Sequence, residues 1–331
     1  LKMLNPNPNV IWAPGIGLIG IGGDKKGASL VADIAVQNIN VMNKGEILGG
    51  YYPIKEKDQF DIEYWSLEQA KIKKSLPSMI KGKTIIITGA AGVIGRETAR
   101  VFNLNGANVF LVDKDIKNLH QTQNLMNNNS VCFQSDLTNS NASKKIISTC
   151  LEKFGGIDIL ISNAGYAFES SILNLDIENL KTSFELNFFA HLNLAKEVSN
   201  VFINQSVGGK ILFNVSKQAV NPGKNFGAYG LPKATLMFLL KQLALELGEF
   251  DISVNGVNAD KIRSGLLTPK MIKTRSKNRG IDENKYMSGN LLSKEVEAKH
   301  VAEGFLSLAK SERTSAHVLT IDGGNIEASL R

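Results

Sequence analysis

Glycines at positions 89, 92 and 95, set between a strand-forming run and a helix-forming one, constrain this chain more than any other feature. The stretch reads Lys83-Thr-Ile-Ile-Ile-Thr-Gly-Ala-Ala-Gly-Val-Ile-Gly-Arg96. Thr84 to Ile87 are apolar or β-branched and predict a short buried strand; Glu97-Thr-Ala-Arg-Val-Phe-Asn-Leu carries a helical pattern. Strand, glycine turn and helix in that order suit a phosphate group. Glycine lets the backbone come close, and the unpaired N–H groups at the helix start favour negative charge. Eighteen residues beyond Gly95 a second strand pattern, Asn108-Val-Phe-Leu-Val-Asp113, ends in a carboxylate. An acid at that place would hydrogen-bond the ribose hydroxyls of a nucleotide. A glycine triplet alone is equally a tight turn; the flanking strand, helix and Asp113 favour the nucleotide site.

Composition narrows the class. At 331 residues the chain is long enough for one large α/β domain and an appendage, and 43% hydrophobic residues suit a globular core. The net charge of +7 and pI near 9.2 could suit nucleic acid. The lysines are scattered, however, with no block of five basic residues, so no nucleic-acid partner is expected and solvated lysine faces are the better reading. Cys132 and Cys150 form neither a metal pattern nor a disulfide framework, which fits a reducing cytoplasm. His120, His191, His300 and His317 lie far apart, and no metal is expected. Val10 to Gly23 is apolar but broken by Pro14 and five glycines, and no apolar run approaches eighteen residues, so neither a signal peptide nor a membrane partner is expected. The chain begins at Leu1 rather than Met, a start that a fragment of a longer product would explain.

Residues 1–80 differ in character from the rest. A turn-rich entry and a short strand at Val10–Ala13 lead through a glycine-punctuated segment to a long amphipathic helix, Gly27 to Ile47, and a second helix at about 61–73. Ser75-Leu-Pro-Ser-Met reads as a linker. So few elements make a poor independent domain. From residue 81 strands and helices alternate: strands at 84–88, 108–113, 130–135, 157–162, 209–215, 251–257 and 316–321, with helices between, the longest at 175–203 and 226–248 and two within 264–310. Such alternation predicts a parallel sheet covered on both faces, a doubly wound α/β domain over 81–331. Ligands bind beyond the carboxyl ends of such strands, which puts Asp113, Asp136, Asn163, Ser216 and Asn258 on one rim.

The rim carries chemistry. Asn163-Ala164-Gly165 follows one strand; small residues there would let a nucleotide lie close to the sheet, though an ordinary Asn-Gly turn reads the same way. Ser216 follows another strand, with Tyr229 thirteen residues later and Lys233 four further on. Positions i and i+4 share a helix face. A tyrosine near pKa ~10 is a poor base at neutral pH, and a neighbouring ammonium would lower that value. Ser216 could hold a substrate oxygen while Tyr229 moves its proton. Pro232, between Tyr229 and Lys233, must lie in the first helical turn or bend the helix.

Together these residues resemble the short-chain dehydrogenase/reductase family across roughly 81–331. The match rests on Thr88-Gly-Ala-Ala-Gly-Val-Ile-Gly95, Asp113, Asp136-Leu137, Asn163-Ala-Gly165, Asn187, Ser216, Tyr229/Lys233 and Asp322-Gly-Gly324. The resemblance implies a Rossmann fold and hydride transfer with NAD, held by Gly89, Gly92, Ile94, Gly95, Asp113, Asp136, Leu137, Asn163, Ala164, Gly165, Tyr229, Lys233 and Ile262. It implies Tyr229 as general acid/base, Ser216 polarising the carbonyl, Lys233 lowering the tyrosine and binding the nicotinamide ribose, and Asn187 holding a relay water. Asp113 implies NAD over NADP, because a carboxylate repels a 2′-phosphate. Three departures stand out. Val93 replaces a usual glycine and gives a spacing similar to extended members, Lys217 replaces a usual second serine, and Ala259-Asp260 replaces the usual Pro-Gly.

A narrower likeness lies in Asn214-Val-Ser-Lys-Gln-Ala-Val-Asn-Pro-Gly223, Asn258-Ala-Asp-Lys-Ile-Arg-Ser-Gly-Leu-Leu267 and Tyr286-Met-Ser-Gly-Asn-Leu-Leu292. They resemble the dehydrogenase half of bifunctional rhamnulose-1-phosphate aldolase/L-lactaldehyde dehydrogenases, which implies rhamnose catabolism. Residues 1–80 resemble the tail of a class II aldolase and its connector. The zinc-binding His-x-His of such aldolases is missing, so no aldolase activity is expected, although an aldolase module could accompany this chain in a longer product. The substrate expected is a small polyol, sugar phosphate or hydroxy-aldehyde. Lys217 and Arg263, with Lys224 and Lys261, would either meet an anionic substrate or stay solvated. Two rival classes remain: an extended-type sugar-nucleotide epimerase or dehydratase that keeps NAD bound, and a non-catalytic partner of an aldolase. The resemblance also implies a dimer or tetramer built through the long helices.

Overall fold

The computed structural model describes residues 7–23, 25–71, 78–127 and 129–325. The chain divides into two compact units, 1–81 and 82–331. In the first, β1 (Val10–Ala13) and β2 (Gly17–Gly20) form an antiparallel hairpin in which Val10 faces Gly20 and Ala13 faces Gly17. The second strand is a finding: the glycine-punctuated segment turns at Gly15 and pairs back. Helix α1 (Lys25–Ile47) packs on β2 so closely that a methyl at Gly20 would meet the Ala32 backbone. The single helix expected at 61–73 is instead α2 (Glu56–Glu63) and α3 (Ser66–Lys71), with Phe60 stacked on Tyr64 at the break. Most of the expected linker lies outside the described residues.

The second unit runs β3 (Thr84–Thr88), α4 (Val93–Leu104), β4 (Asn108–Asp113), α5 (Ile116–Gln123), β5 (Ser130–Gln134), α6 (Ala142–Phe154) and β6 (Ile159–Ser162). It continues through α7 (Ile177–Phe184), α8 (Ala190–Gln205), β7 (Gly209–Asn214), α9 (Gly227–Leu247), β8 (Ile252–Ala259), α10 (Pro269–Asn278), α11 (Glu283–Met287), α12 (Ala298–Lys310) and β9 (Val318–Ile321). The seven strands form one parallel sheet in the order β5-β4-β3-β6-β7-β8-β9. This is the doubly wound Rossmann arrangement that the alternation predicted.

Burial explains why the strands read as unbroken apolar runs rather than alternating ones. Every residue of β3 is buried, because helices cover both faces. Helices α6, α8 and α9 seal one face with Ile146, Leu194, Val198, Phe202, Leu236 and Leu240; α4, α5 and α12 cover the other. The connections run outward in opposite directions from β3 and β6, so the sheet's switch point, and hence its crevice, lies between their carboxyl ends.

The helices around the site differ in part from expectation. The long helix expected at 175–203 is α7 and α8 joined by a π-helical turn, Glu185–Phe189, that contains Asn187. Pro232 is the sixth residue of α9, inside the helix, where it cannot donate to the carbonyl one turn earlier. The stretch 264–310 holds three helices rather than two.

Candidate active site

The glycine turn sits at the switch point. Gly89 adopts φ +66°, a left-handed conformation that favours glycine, and a methyl there would lie 2.9 Å from both the Ala164 Cα and the Asn163 Nδ2. A methyl at Gly95 would collide with the Gly89 carbonyl, so α4 can start this close to the turn only without a side chain. Gly92 caps α4 with no side-chain hydrogen bond, which leaves the first N–H groups of the helix directed out of its end. These are the properties an anionic pyrophosphate needs. Above the turn, Asp113 accepts from the Ala91 N–H at 3.0 Å through one oxygen and from the Asp115 N–H at 3.0 Å through the other. The residues present therefore fit a dinucleotide: a side-chain-free cradle, a helix start and a carboxylate at the ribose position.

Across the crevice, the loop after β6 is pinned to β3. The backbone N–H groups of Asn163 and Ala164 both donate to the Thr88 hydroxyl, at 2.9 and 3.1 Å. Asn187 is fully buried; it accepts from the Tyr166 N–H at 3.1 Å and donates to the Tyr166 and Ser183 carbonyls. The π turn swings this amide inward, a frequent use of such turns. A methyl at Gly165 would sit 2.9 Å from the Asn187 Oδ1 and 3.8 Å from the Lys233 ammonium, so Gly165 lies between them.

The structure brings Ser216, Tyr229 and Lys233 together. Ser216 follows β7 in extended backbone and accepts from the Gln218 N–H at 3.2 Å, and its hydroxyl lies close enough to the Tyr229 phenol to influence its pKa. Lys233 is 2% exposed, donates to the Asn214 carbonyl at 2.8 Å, and its nitrogen lies 5.8 Å from the Tyr229 ring centre. Burial pushes the phenol up to about 12, against the opposing pull of the Ser216 hydroxyl. Burial likewise pushes the Lys233 amine down to about 7. The expected lowering of the tyrosine by its lysine is thus corrected. Both groups are out of water, which disfavours the charged form of each.

Other expected residues stand apart from this centre. Lys217 and Arg263, expected against an anionic substrate, end on carboxylates: Lys217 on Asp260 at 2.9 Å and Arg263 on Glu295 at 2.6 Å. Asp136 takes the N–H and hydroxyl of Thr138, at 3.0 and 2.7 Å, beside Leu137, which packs on the core. Ile262 is buried, and its carbonyl accepts from Ser264. Asn258 is buried with its Oδ1 unpartnered. A cleft of 1680 Å³ along β9 contains none of Ser216, Tyr229 or Lys233.

Three contributors were not foreseen from the residue pattern. His191, one turn after Asn187, bonds Ser162 at 2.6 Å; burial, then nearby Lys233, holds its pKa well below the usual value. Arg275 of α10 pairs with Glu169 and lies over the Phe226 ring, just before α9. Asn214 links Lys233 to Asn163. Only the i+4 spacing from Asn187 to His191 could have hinted at one of them.

A family profile described as short chain dehydrogenase matches residues 83–275, more than half the chain, and one described as aldolase class II, second domain, matches residues 1–72. The chain belongs to the short-chain dehydrogenase family and is an oxidoreductase of that family. An uncharacterized oxidoreductase of Bacillus subtilis (strain 168), YuxG, is 28% identical over 331 residues, which take in 96% of this chain and 48% of that protein. The chain thus spans about half that relative's length. Short-chain dehydrogenase reductase 3b of Arabidopsis thaliana is 30% identical across 74% of this chain and 96% of its own. Among solved structures, a 3-ketoacyl-(acyl-carrier-protein) reductase from Brucella melitensis, complexed with NADH, superposes with a TM-score of 0.68 at 23% identity, over 74% of this chain and 98% of that one. A short-chain type dehydrogenase/reductase from Mycobacterium marinum gives 0.67 at 23% identity, over 74% and 95%. These two likenesses show the fold.

Two outcomes follow from the geometry. Gly95→Ala should push α4 off the turn, costing about 1–3 kcal/mol in urea unfolding and weakening dinucleotide binding measured by fluorescence; unchanged binding would refute the close-approach account. The second concerns pH. Lys233 keeps its proton up to its ordinary value of 10.5 in the unfolded chain but only to about 7 in the fold. Between these values the unfolded state binds more protons, so raising the pH stabilises the folded state. The unfolding free energy of the wild type should therefore climb relative to Lys233→Met from about pH 7 to about pH 10, and a flat difference would contradict the burial of this amine.

Proposed function

We propose that residues 81–331 are an NAD-dependent oxidoreductase that interconverts an alcohol and a carbonyl on a small sugar-derived substrate. The observation that carries this reading is the buried Tyr229 phenol with Lys233 5.8 Å from its ring centre and Ser216 at the adjoining strand end, on the same sheet edge as the Gly89 turn. Gly89, Gly92, Ile94 and Gly95 would hold the pyrophosphate, and Asn163 to Gly165, with Ile262, the nicotinamide side. A bound nicotinamide would supply the hydride acceptor or donor. Tyr229 would exchange the proton at the substrate oxygen while Ser216 orients that oxygen. Burial pushes the phenol up to about 12, so it enters the reaction protonated, the state that can donate to a carbonyl oxygen. After Tyr229 has given its proton to the substrate oxygen, a proton from water, held by the Asn187 amide, would return to the phenol by way of Lys233.

The carboxylate of Asp113 supports NAD over NADP. Arg96 does not offset it: its guanidinium is committed to the Ala91 carbonyl and the Thr122 hydroxyl. The pairing of Lys217 with Asp260, Arg263 with Glu295 and Arg275 with Glu169 supports an uncharged polyol or hydroxy-aldehyde over a phosphate ester. Residues 1–80 we read as an appendage of class II aldolase type, whose natural neighbour is an aldolase module. Leu231, Phe238 and Leu245, spaced by seven on α9 and 48%, 69% and 79% exposed, support pairing of this helix with a second copy.

NADH formation or consumption across a panel of L-lactaldehyde, free polyols and their phosphates tests the reading. Turnover of a neutral member, lost by about a hundredfold or more in Tyr229→Phe, is the expected result; equal turnover by that variant would overturn it. Phe238→Glu should yield a monomer in sedimentation without unfolding the chain, and an unaltered oligomer would reject the α9 face.

A further inference from the structure

Asn214, the last residue of β7, joins the two halves of the crevice. Its main-chain carbonyl accepts from the Lys233 ammonium at 2.8 Å, and its side-chain Nδ2 donates to the Asn163 Oδ1 at 2.8 Å. Asn163 in turn donates through its Nδ2 to the Thr88 carbonyl at 3.0 Å and to the Gly89 carbonyl at 3.4 Å. The chain of bonds spans the adjacent strands β7, β6 and β3 and ends on the first glycine of the turn.

Chemistry alone sets the direction of this chain. Backbone carbonyls only accept, so Asn163 must present its NH₂ to Thr88 and Gly89. Its oxygen then faces Asn214, which must answer with an NH₂ of its own. A group at 214 that can only accept would oppose that oxygen or force Asn163 to flip, and the flip would set its oxygen against two carbonyls. Either arrangement strands a polar group in a partly enclosed site.

We propose that Asn214 is a positioning residue for the dinucleotide: its carboxamide fixes which way Asn163 faces, and so holds the Gly89 turn in register with the end of β7, whose carbonyl takes the Lys233 hydrogen bond. The inference rests on the reading of the Gly89 turn as a dinucleotide site. Asn214→Asp and Asn214→Leu both keep the side chain's shape and the main-chain carbonyl, and both remove the donor. Asn214→Ser retains one.

The experiment measures NADH affinity by fluorescence, melting temperature, and amide hydrogen exchange across residues 88–95 in the wild type and the three variants. Asn214→Asp should bind NADH about tenfold to a hundredfold more weakly, Asn214→Leu less so, and Asn214→Ser should lie nearest the wild type. In steady-state assays Asn214→Asp should raise KM for NAD far more than it lowers kcat. Exchange across 88–95 should quicken in Asn214→Asp while exchange in the distant helix α12 stays unchanged. Unaltered exchange across 88–95 would overturn the inference whether or not NADH binds, and so would NADH affinity within twofold of wild type in Asn214→Asp. Failure of the wild type itself to bind NADH, with exchange responding as described, would sink the dinucleotide reading and leave the tie between Asn214 and the turn standing.

Discussion

The approach of α4 to the turn at Gly89 is the contact on which the crevice depends. With no side chain at Gly95, the helix begins against the Gly89 carbonyl and aims its uncapped N–H groups between β3 and β6. The same closeness lets the Asn163 amide reach the Thr88 and Gly89 carbonyls, and so lets the loop after β6 lie flat on the sheet edge. Because all seven strands run parallel, their carboxyl ends open on one side, and every polar group tied to the turn gathers there. A larger residue at any of these points would separate the helix start from the strand ends, leaving a fold but no cradle.

Around that cradle the protein keeps titratable groups dry. Lys233, His191 and Tyr229 are buried within a few residues of one another in space, and for each of them burial is the foremost influence on the pKa. The neutral form is favoured in all three. Charging any of them inside the fold therefore costs more than it would in water. The basic residues farther out behave differently. Lys217, Arg263 and Arg275 each meet a carboxylate, so these cations are neutralised locally although the whole chain carries +7.

The order of strands and helices in the second unit was legible because apolar runs of strand length, broken by glycine and asparagine, alternate with longer helical patterns. The spacing from Ser216 to Tyr229 and Lys233 was legible for a similar reason: a strand end and one helix face suffice to bring them together. The bend at Asn187 was not, since a π turn leaves no mark in periodicity. Nor was the fate of Lys217 and Arg263. Their partners, Asp260 and Glu295, lie 43 and 32 residues away, and a cation in a loop looks the same whether solvated or paired. The hairpin formed by β2 escaped notice because Gly17 and Gly20 mask a strand of four residues.

By itself, then, the sequence determined the local chemistry. It set glycines where the backbone must crowd, a carboxylate at the end of β4, and a tyrosine and lysine on one face of α9. Folding decided which of these groups lose their water and which partners they meet. Desolvation and pairing depend on neighbours brought from distant parts of the chain, so the raised phenol, the depressed amine and the Asn214–Asn163 tie exist only once β3, β6 and β7 lie side by side.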